Sequence, residues 1–244
     1  MSPSAINRYR ARLLSNDVSE RRAVSRALAA LAATQHADFL RLCHHLLDDP
    51  ELRVRAEILW HLMRYGDRDD VVAETKARAA LALPDLRARA LLALGTVGTR
   101  SVVPELYALS AASEECALVA LARQVRTETQ RQQALRLSRA WLMSEVYSQR
   151  DEALRALRIL STAQREEDLL LTIYLKYGDE LVVWALGAAS APMLPVLQAL
   201  LGRWPEGCAE YGDVTRAIRR LERRLAHGED ADRRTGAGGL REYL

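Results

Sequence analysis

Apolar residues recur along this chain at the spacing of an α-helix. Val24, Leu28 and Leu31 fall at i, i+4 and i+7 of a helix expected over 21–33, with Ser19 as its N-cap. Leu40, Cys43 and Leu47, with Leu42 and Leu46, mark a second helix over 37–47; Asp38, Arg41, His45 and Asp48 fall on its other side. Pro50 opens the next unit, since a proline in a helix's first turn loses no hydrogen bond. Val54, Ile58 and Met63, alternating with Ala56, Leu59 and Leu62, give that helix a wide apolar face, which Gly66 is expected to end. Asp67, Asp69 or Asp70 can start the partner helix over 71–83. Pro84 then resets the cycle, with Leu86, Ala90, Leu91 and Leu94, a break at Gly95 and Gly98, and a second helix marked by Val103, Leu106 and Leu109. Further helices are read over 115–125, 129–147, 151–160, 166–177, 181–188, 192–201 and 213–226. The last carries a narrow stripe of Val214, Ile218, Leu221 and Leu225. A short amphipathic helix over 5–14 is expected to cap the other end. Residues 227–244 lack a packing pattern and are expected to form a flexible tail.

The pattern repeats. Residues 50–56 read P-E-L-R-V-R-A and residues 84–90 read P-D-L-R-A-R-A, thirty-four positions apart. Self-similarity at that period implies stacked helical hairpins. A second unit, Tyr-Gly-Asp, stands at 65–67, 177–179 and 211–213, the last two copies again thirty-four apart. It is read as one turn reused, with glycine supplying a positive φ at the helix end and aspartate capping the next helix. The expected fold is all-α: an α-solenoid of about five to six hairpins in one domain over 1–226, with capping helices at 5–14 and 213–226.

At V-R-A-E-I-L-W-H-L (Val54 to Leu62) and A-R-A-L-L-A-L-G-T-V-G (Ala88 to Gly98) the chain resembles HEAT-like repeats, the armadillo-type kind first named in bacterial bilin-lyase proteins. The resemblance runs from about Ser19 to Gly202 and is sharpest in the two proline-led copies. It implies a right-handed superhelix whose second helices line a concave binding face. Such an architecture serves many unrelated jobs, so function has to be argued from residues.

Composition narrows the partners. The chain is 49% apolar but only 5% aromatic, so its core must be built from Ala, Leu and Val. Net charge is +3, and only Lys76 and Lys176 of the 35 basic residues are lysine. Asp and Glu are interleaved with the arginines almost everywhere, which reads as solvated faces rather than a polyanion track. Cys43, Cys116 and Cys208 are widely spaced and odd in number, which points to a reducing, cytoplasmic setting. No signal peptide is expected after Met1, because arginines at 8, 10 and 12 take the place of an apolar core. The most apolar stretch, 169–186, is interrupted by Lys176, Gly178, Asp179 and Glu180, so no membrane span is expected.

Few residues carry readable chemistry. His44 and His45 diverge by about 100° around a helix, and no H-E-x-x-H spacing occurs, so no metal site and no cofactor is expected. Phosphate-loop, dinucleotide and nucleophile-elbow motifs are missing as well. Trp141 and Glu145 are read as one helical turn apart. Some HEAT-like proteins are DNA glycosylases for alkylated purines built from aromatic residues and a carboxylate; that resemblance would use Trp141, Glu145 and Trp184 in a DNA groove. Glu stands here where that family uses Asp, and no basic groove is readable. The arginines at 216, 219, 220, 223 and 224 are read as a solvated capping face.

The favoured expectation is a protein–protein interaction scaffold without enzymatic activity. Its partner-binding face would be the polar side of the second helices: Asp38, Arg41 and His45; Glu74 and Arg78; Glu105; Arg136 and Arg139. Both signs of charge occur there, which suits a protein partner better than a phosphate backbone. Arg41, Arg136 and Arg139 are the sharper candidates, because arginine is a frequent anchor at interfaces.

Overall fold

The computed structural model describes Tyr9, Arg12 and residues 15–160, 167–177 and 192–226. The expected helices over 5–14 (Tyr9 and Arg12 apart) and 181–188, the tail over 227–244, and Trp184 lie outside the described residues. Among the described residues all regular structure is helical. These residues form twelve α-helices: α1 Val18–Thr34, α2 His36–Leu46, α3 Leu52–Tyr65, α4 Val71–Ala80, α5 Pro84–Val97, α6 Val103–Ala111, α7 Ala117–Gln124, α8 Glu128–Leu142, α9 Tyr147–Ile159, α10 Glu167–Tyr177, α11 Met193–Leu201 and α12 Ala209–Ala226. A 3-10 turn, Arg100–Val102, leads into α6. The chain separates into two compact units, one up to Ala134 and one from Leu135 onward. No helix among the described residues is long and apolar enough to cross a membrane.

In the first unit, alternate helices pack side by side. α1, α3, α5 and α7 form one layer. α2 packs on α1 and α3, α4 chiefly on α5, and α6 on α7. The stripes read from the sequence form this core: Val24, Leu28, Val54, Ile58, Leu62, Leu91, Leu94 and Leu106 have no exposed surface. Fully burying each such side chain is worth about 1.5–3 kcal/mol. The expected hairpin of α3 with α4 is not the closest pairing. Ala73, Ala77 and Ala80 are all buried, and such small residues let α4 press against α5 across the short 81–83 link.

Local signals differ from the expectation at several points. α1 begins at Val18 with Asp17 as N-cap, its side chain accepting from the Ser19 N–H at 2.8 Å. Ser19 is therefore not the cap. Asp70 caps α4, accepting from Ala73 N at 3.0 Å. Tyr-Gly-Asp is not one reused turn. Gly66 ends α3 at φ −68°, so no positive φ is needed there. It is glycine because a Cβ would lie 2.5 Å from Val97 Cγ1 and 2.6 Å from Leu62 O. Tyr211-Gly212-Asp213 lies inside α12, and the agreement in spacing loses its structural meaning. Gly95 is not a break either: it lies within α5, where a Cβ would be 2.7 Å from Ala120 Cα of α7.

Long-range polar contacts tie the layer together at the C-terminal ends of its helices. Thr96 Oγ1 donates to Met63 O at 2.9 Å, and Gln124 Nε2 donates to Leu94 O at 3.1 Å. Arg126 clamps Asp69 at 2.7 and 3.1 Å and reaches Gly98 O at 3.1 Å. Asp69 holds φ 66°, a left-handed conformation that Asp tolerates better than most residues. At the other end, Arg21 and Asp49 form a buried pair at 2.6 Å.

In the second unit, α11 packs on α12. Met193, Leu197 and Leu200 are buried there, as are Val214, Ala217, Ile218 and Leu221. Leu225, expected in the same stripe, is exposed. Tyr174 of α10 is buried and meets Trp204 edge-on at 5.8 Å. Burial pushes the Tyr174 phenol up to about 12.

Candidate functional site

The expected binding residues of the first unit lie on α2, α4 and α6, and cross-links hold these helices in one ridge. Lys76 of α4 pairs with Asp48 and donates to His44 O at 2.6 Å. His44 Nε2 meets Asp70 at 2.7 Å, at the entry to α4, and His36 meets Asp67 at 2.8 Å. Arg78 of α4 meets Glu105 of α6 at 3.0 Å.

The candidates divide by exposure. Arg41 is open to solvent, its side chain 67% exposed, with Asp38 beside it at 3.6 Å; His45 is exposed too. Glu74 is different, being only 5% exposed. It accepts from Thr99 N at 2.7 Å and from Ser101 Oγ at 3.0 Å, and it pairs with Arg78 at 3.2 Å. Desolvation pushes its carboxyl up, but these bonds from Thr99, Ser101 and Arg78 prevail and leave it below the ordinary carboxylate range. Glu74 thus anchors the 3-10 turn before α6 and presents no free oxygen to a partner. Arg136 and Arg139 are exposed on α8, in the second unit.

Sequence reasoning missed the apolar part of this ridge. Val71 is 63% exposed and Val72 46%, at the start of α4, and Tyr107 is 38% exposed on α6. The signal was present: Tyr107 follows Leu106 by one residue, so it falls off the buried stripe.

The Trp141 region has another geometry. α8 ends at Leu142, so Glu145 lies in the following link and not one helical turn from Trp141. Trp141 is 6% exposed and offers no open ring face for a base. Glu145 accepts from Lys176 Nζ at 3.2 Å and Tyr177 Oη at 3.0 Å, and these two bonds hold its carboxyl below the ordinary value. On α12, Arg216 pairs with Asp213, and Arg223 Nε donates to Arg219 O at 3.2 Å.

Among the described residues no group of three His, Cys, Asp or Glu side chains could hold a metal ion. His61, against α1, is depressed below 6.5, chiefly by burial. The three cysteines are free thiols; burial pushes Cys43 up. Against models of protein families, curated proteins and solved structures, the chain finds no match.

Proposed function

We propose that the chain is a cytoplasmic interaction scaffold or adaptor. In this reading it is a HEAT-like, right-handed α-solenoid that holds a protein partner on the concave face lined by its second helices. One observation carries the reading: the cross-linked ridge of α2, α4 and α6 exposes charges of both signs, Arg41 on α2 and Asp48 just after it among them, and it also exposes Val71, Val72 and Tyr107. Mixed charge around aromatic and arginine anchors is the composition of protein interfaces. A soft, water-exposed edge would lose more entropy on binding, whereas cross-linked helices present their side chains already ordered.

No observation favours the nucleic-acid alternative. Trp141 is buried, and the α12 arginines are interleaved with Asp213 and Glu222. The test is capture from a nuclease-treated lysate of the native host. Wild-type chain should retain one stoichiometric protein, and the Arg41→Ala, Tyr107→Ala double variant should lose it while keeping its circular dichroism. Equal capture by both would remove this surface. Retention of nucleic acid alone, in the untreated control, would reverse the reading.

A further inference from the structure

Arginine stands at the fourth residue of α1, α3, α5 and α9: Arg21, Arg55, Arg87 and Arg150. Arg21 and Arg87 use that register alike. Each sends Nη1 to a carbonyl six residues upstream, Ser15 O at 2.8 Å and Leu81 O at 3.4 Å. Each also clamps a carboxylate that follows 28 or 27 residues later. Asp49 sits at 2.6 and 3.2 Å from Arg21, and Glu114 at 2.6 and 3.4 Å from Arg87. Arg150 repeats the first half, with Nη1 on Ser144 O at 3.0 Å.

Arg55 holds the same register without the acid. The residues 27 and 28 positions beyond it are Ala82 and Leu83. Among the described residues no carboxylate pairs with its guanidinium, and its Nε is buried without a hydrogen-bond partner. Arg55 instead lines a cavity of about 270 Å³ together with Asp48 and Lys76, against Leu47, Leu59 and Ala80. Lys76 is already committed to Asp48 and to His44 O. One positive charge is left over at an apolar wall. A buried donor of this kind is costly to leave unpaired, and a guanidinium fork favours a carboxylate. The volume falls below the roughly 300–1,000 Å³ of small-molecule sites, so it fits one side chain rather than a cofactor.

We propose that this cavity receives a single carboxylate on an apolar stem, a glutamate side chain of the protein partner. Its oxygens take the place at Arg55 that Asp49 fills at Arg21 and Glu114 fills at Arg87. The carboxylate specificity stands on Arg55 itself; the source of the carboxylate rests on the adaptor reading above.

The experiment follows the Arg55 Nε–Hε resonance of the ¹⁵N-labelled full chain. The probes are N-acetyl-glutamic acid α-amide, its glutamine isostere and inorganic phosphate. The glutamic probe should shift the resonance saturably and the glutamine isostere should not. In Arg55→Gln, binding followed at neighbouring backbone amides should weaken at least about tenfold, the scale of a lost hydrogen bond to a charged group. Ala82→Glu, which restores the acid in cis, should weaken it similarly and raise the thermal midpoint. No shift with the glutamic probe, an equal shift with glutamine, or a response to phosphate alone overturns the proposal. A lysate arm separates the source: Arg55→Gln should cut partner capture about tenfold. Probe binding with unchanged capture overturns the partner's glutamate as occupant. Failure of the wild-type chain to capture any protein overturns the adaptor reading and leaves the Arg55 result standing.

Discussion

Gly95→Ala is the substitution whose sign the packing decides. Gly95 lies inside α5, where glycine costs a helix roughly 0.5–1 kcal/mol relative to alanine. Propensity alone therefore makes the replacement stabilising. The neighbouring helix reverses that. A Cβ at 95 would lie 2.7 Å from Ala120 Cα, 3.0 Å from Ala120 O and 3.1 Å from Ala120 Cβ. Two of these atoms are α7 backbone and cannot rotate away. Relief requires α5 and α7 to part, around Leu94 and Leu118, which are wholly buried. Overpacking costs about 1–3 kcal/mol, and a backbone obstacle places this case in the upper part of that range. After the propensity gain, a net loss of about 1–2 kcal/mol is expected. Urea unfolding followed by far-UV circular dichroism measures it as a lower midpoint at unchanged slope. Ala120→Gly in the same chain removes only the Cβ contact, so it should recover only part of the loss. An unchanged or raised midpoint in Gly95→Ala would refute the close approach of α5 and α7.

Other outcomes follow from the polar contacts. Asp49→Ala leaves the Arg21 guanidinium, 10% exposed, with the Ser15 carbonyl alone, and should lower the urea midpoint; Arg21→Met with Asp49→Leu should recover most of it. Glu74→Gln weakens the bonds to Thr99, Ser101 and Arg78 and should cost about 1.5–3 kcal/mol. Because the folded pKa of Glu74 lies below the ordinary 4.5, its contribution is full above pH 4.5 and fades as pH falls through the lower folded value. The variant should therefore show a shallower acid slope in that window. His61 carries an acid slope as well. Its folded pKa is below 6.5, so the unfolded chain takes up the proton first and stability drops as pH falls from about 6.5; His61→Asn should flatten that part of the curve.

Much of the fold was legible because helices announce themselves locally. The 3.6-residue stripes located nearly every helix, and Pro50 and Pro84 marked two starts within a residue or two. Glycine was less readable. Gly66 and Gly95 look like punctuation, yet both are required by a neighbouring helix that only the packed structure supplies. Phe39, wholly buried, escaped notice because its neighbour Leu40 already fits the i, i+3, i+7 spacing with Cys43 and Leu47. Pairings such as Arg21 with Asp49 could not be read, since arginine and acid are interleaved throughout. The recurring arginine register becomes visible only when helix starts are fixed, and the misplaced Ser19 cap hid it. Of the proposed binding face, Arg41 and His45 are exposed as their spacing implies, while Glu74, which stands four residues before Arg78 just as Arg41 stands four before His45, turns inward to hold the Thr99–Ser101 turn.

Site-specific photo-crosslinking in the native host tests the interaction face most directly. A benzophenone amino acid would replace His45, Tyr107 or, as control, Arg89, an exposed residue of the other layer. If this face holds the partner, positions 45 and 107 each join the same protein covalently and position 89 does not. Adducts from position 89 alone, or none from 45 and 107, would contradict that assignment.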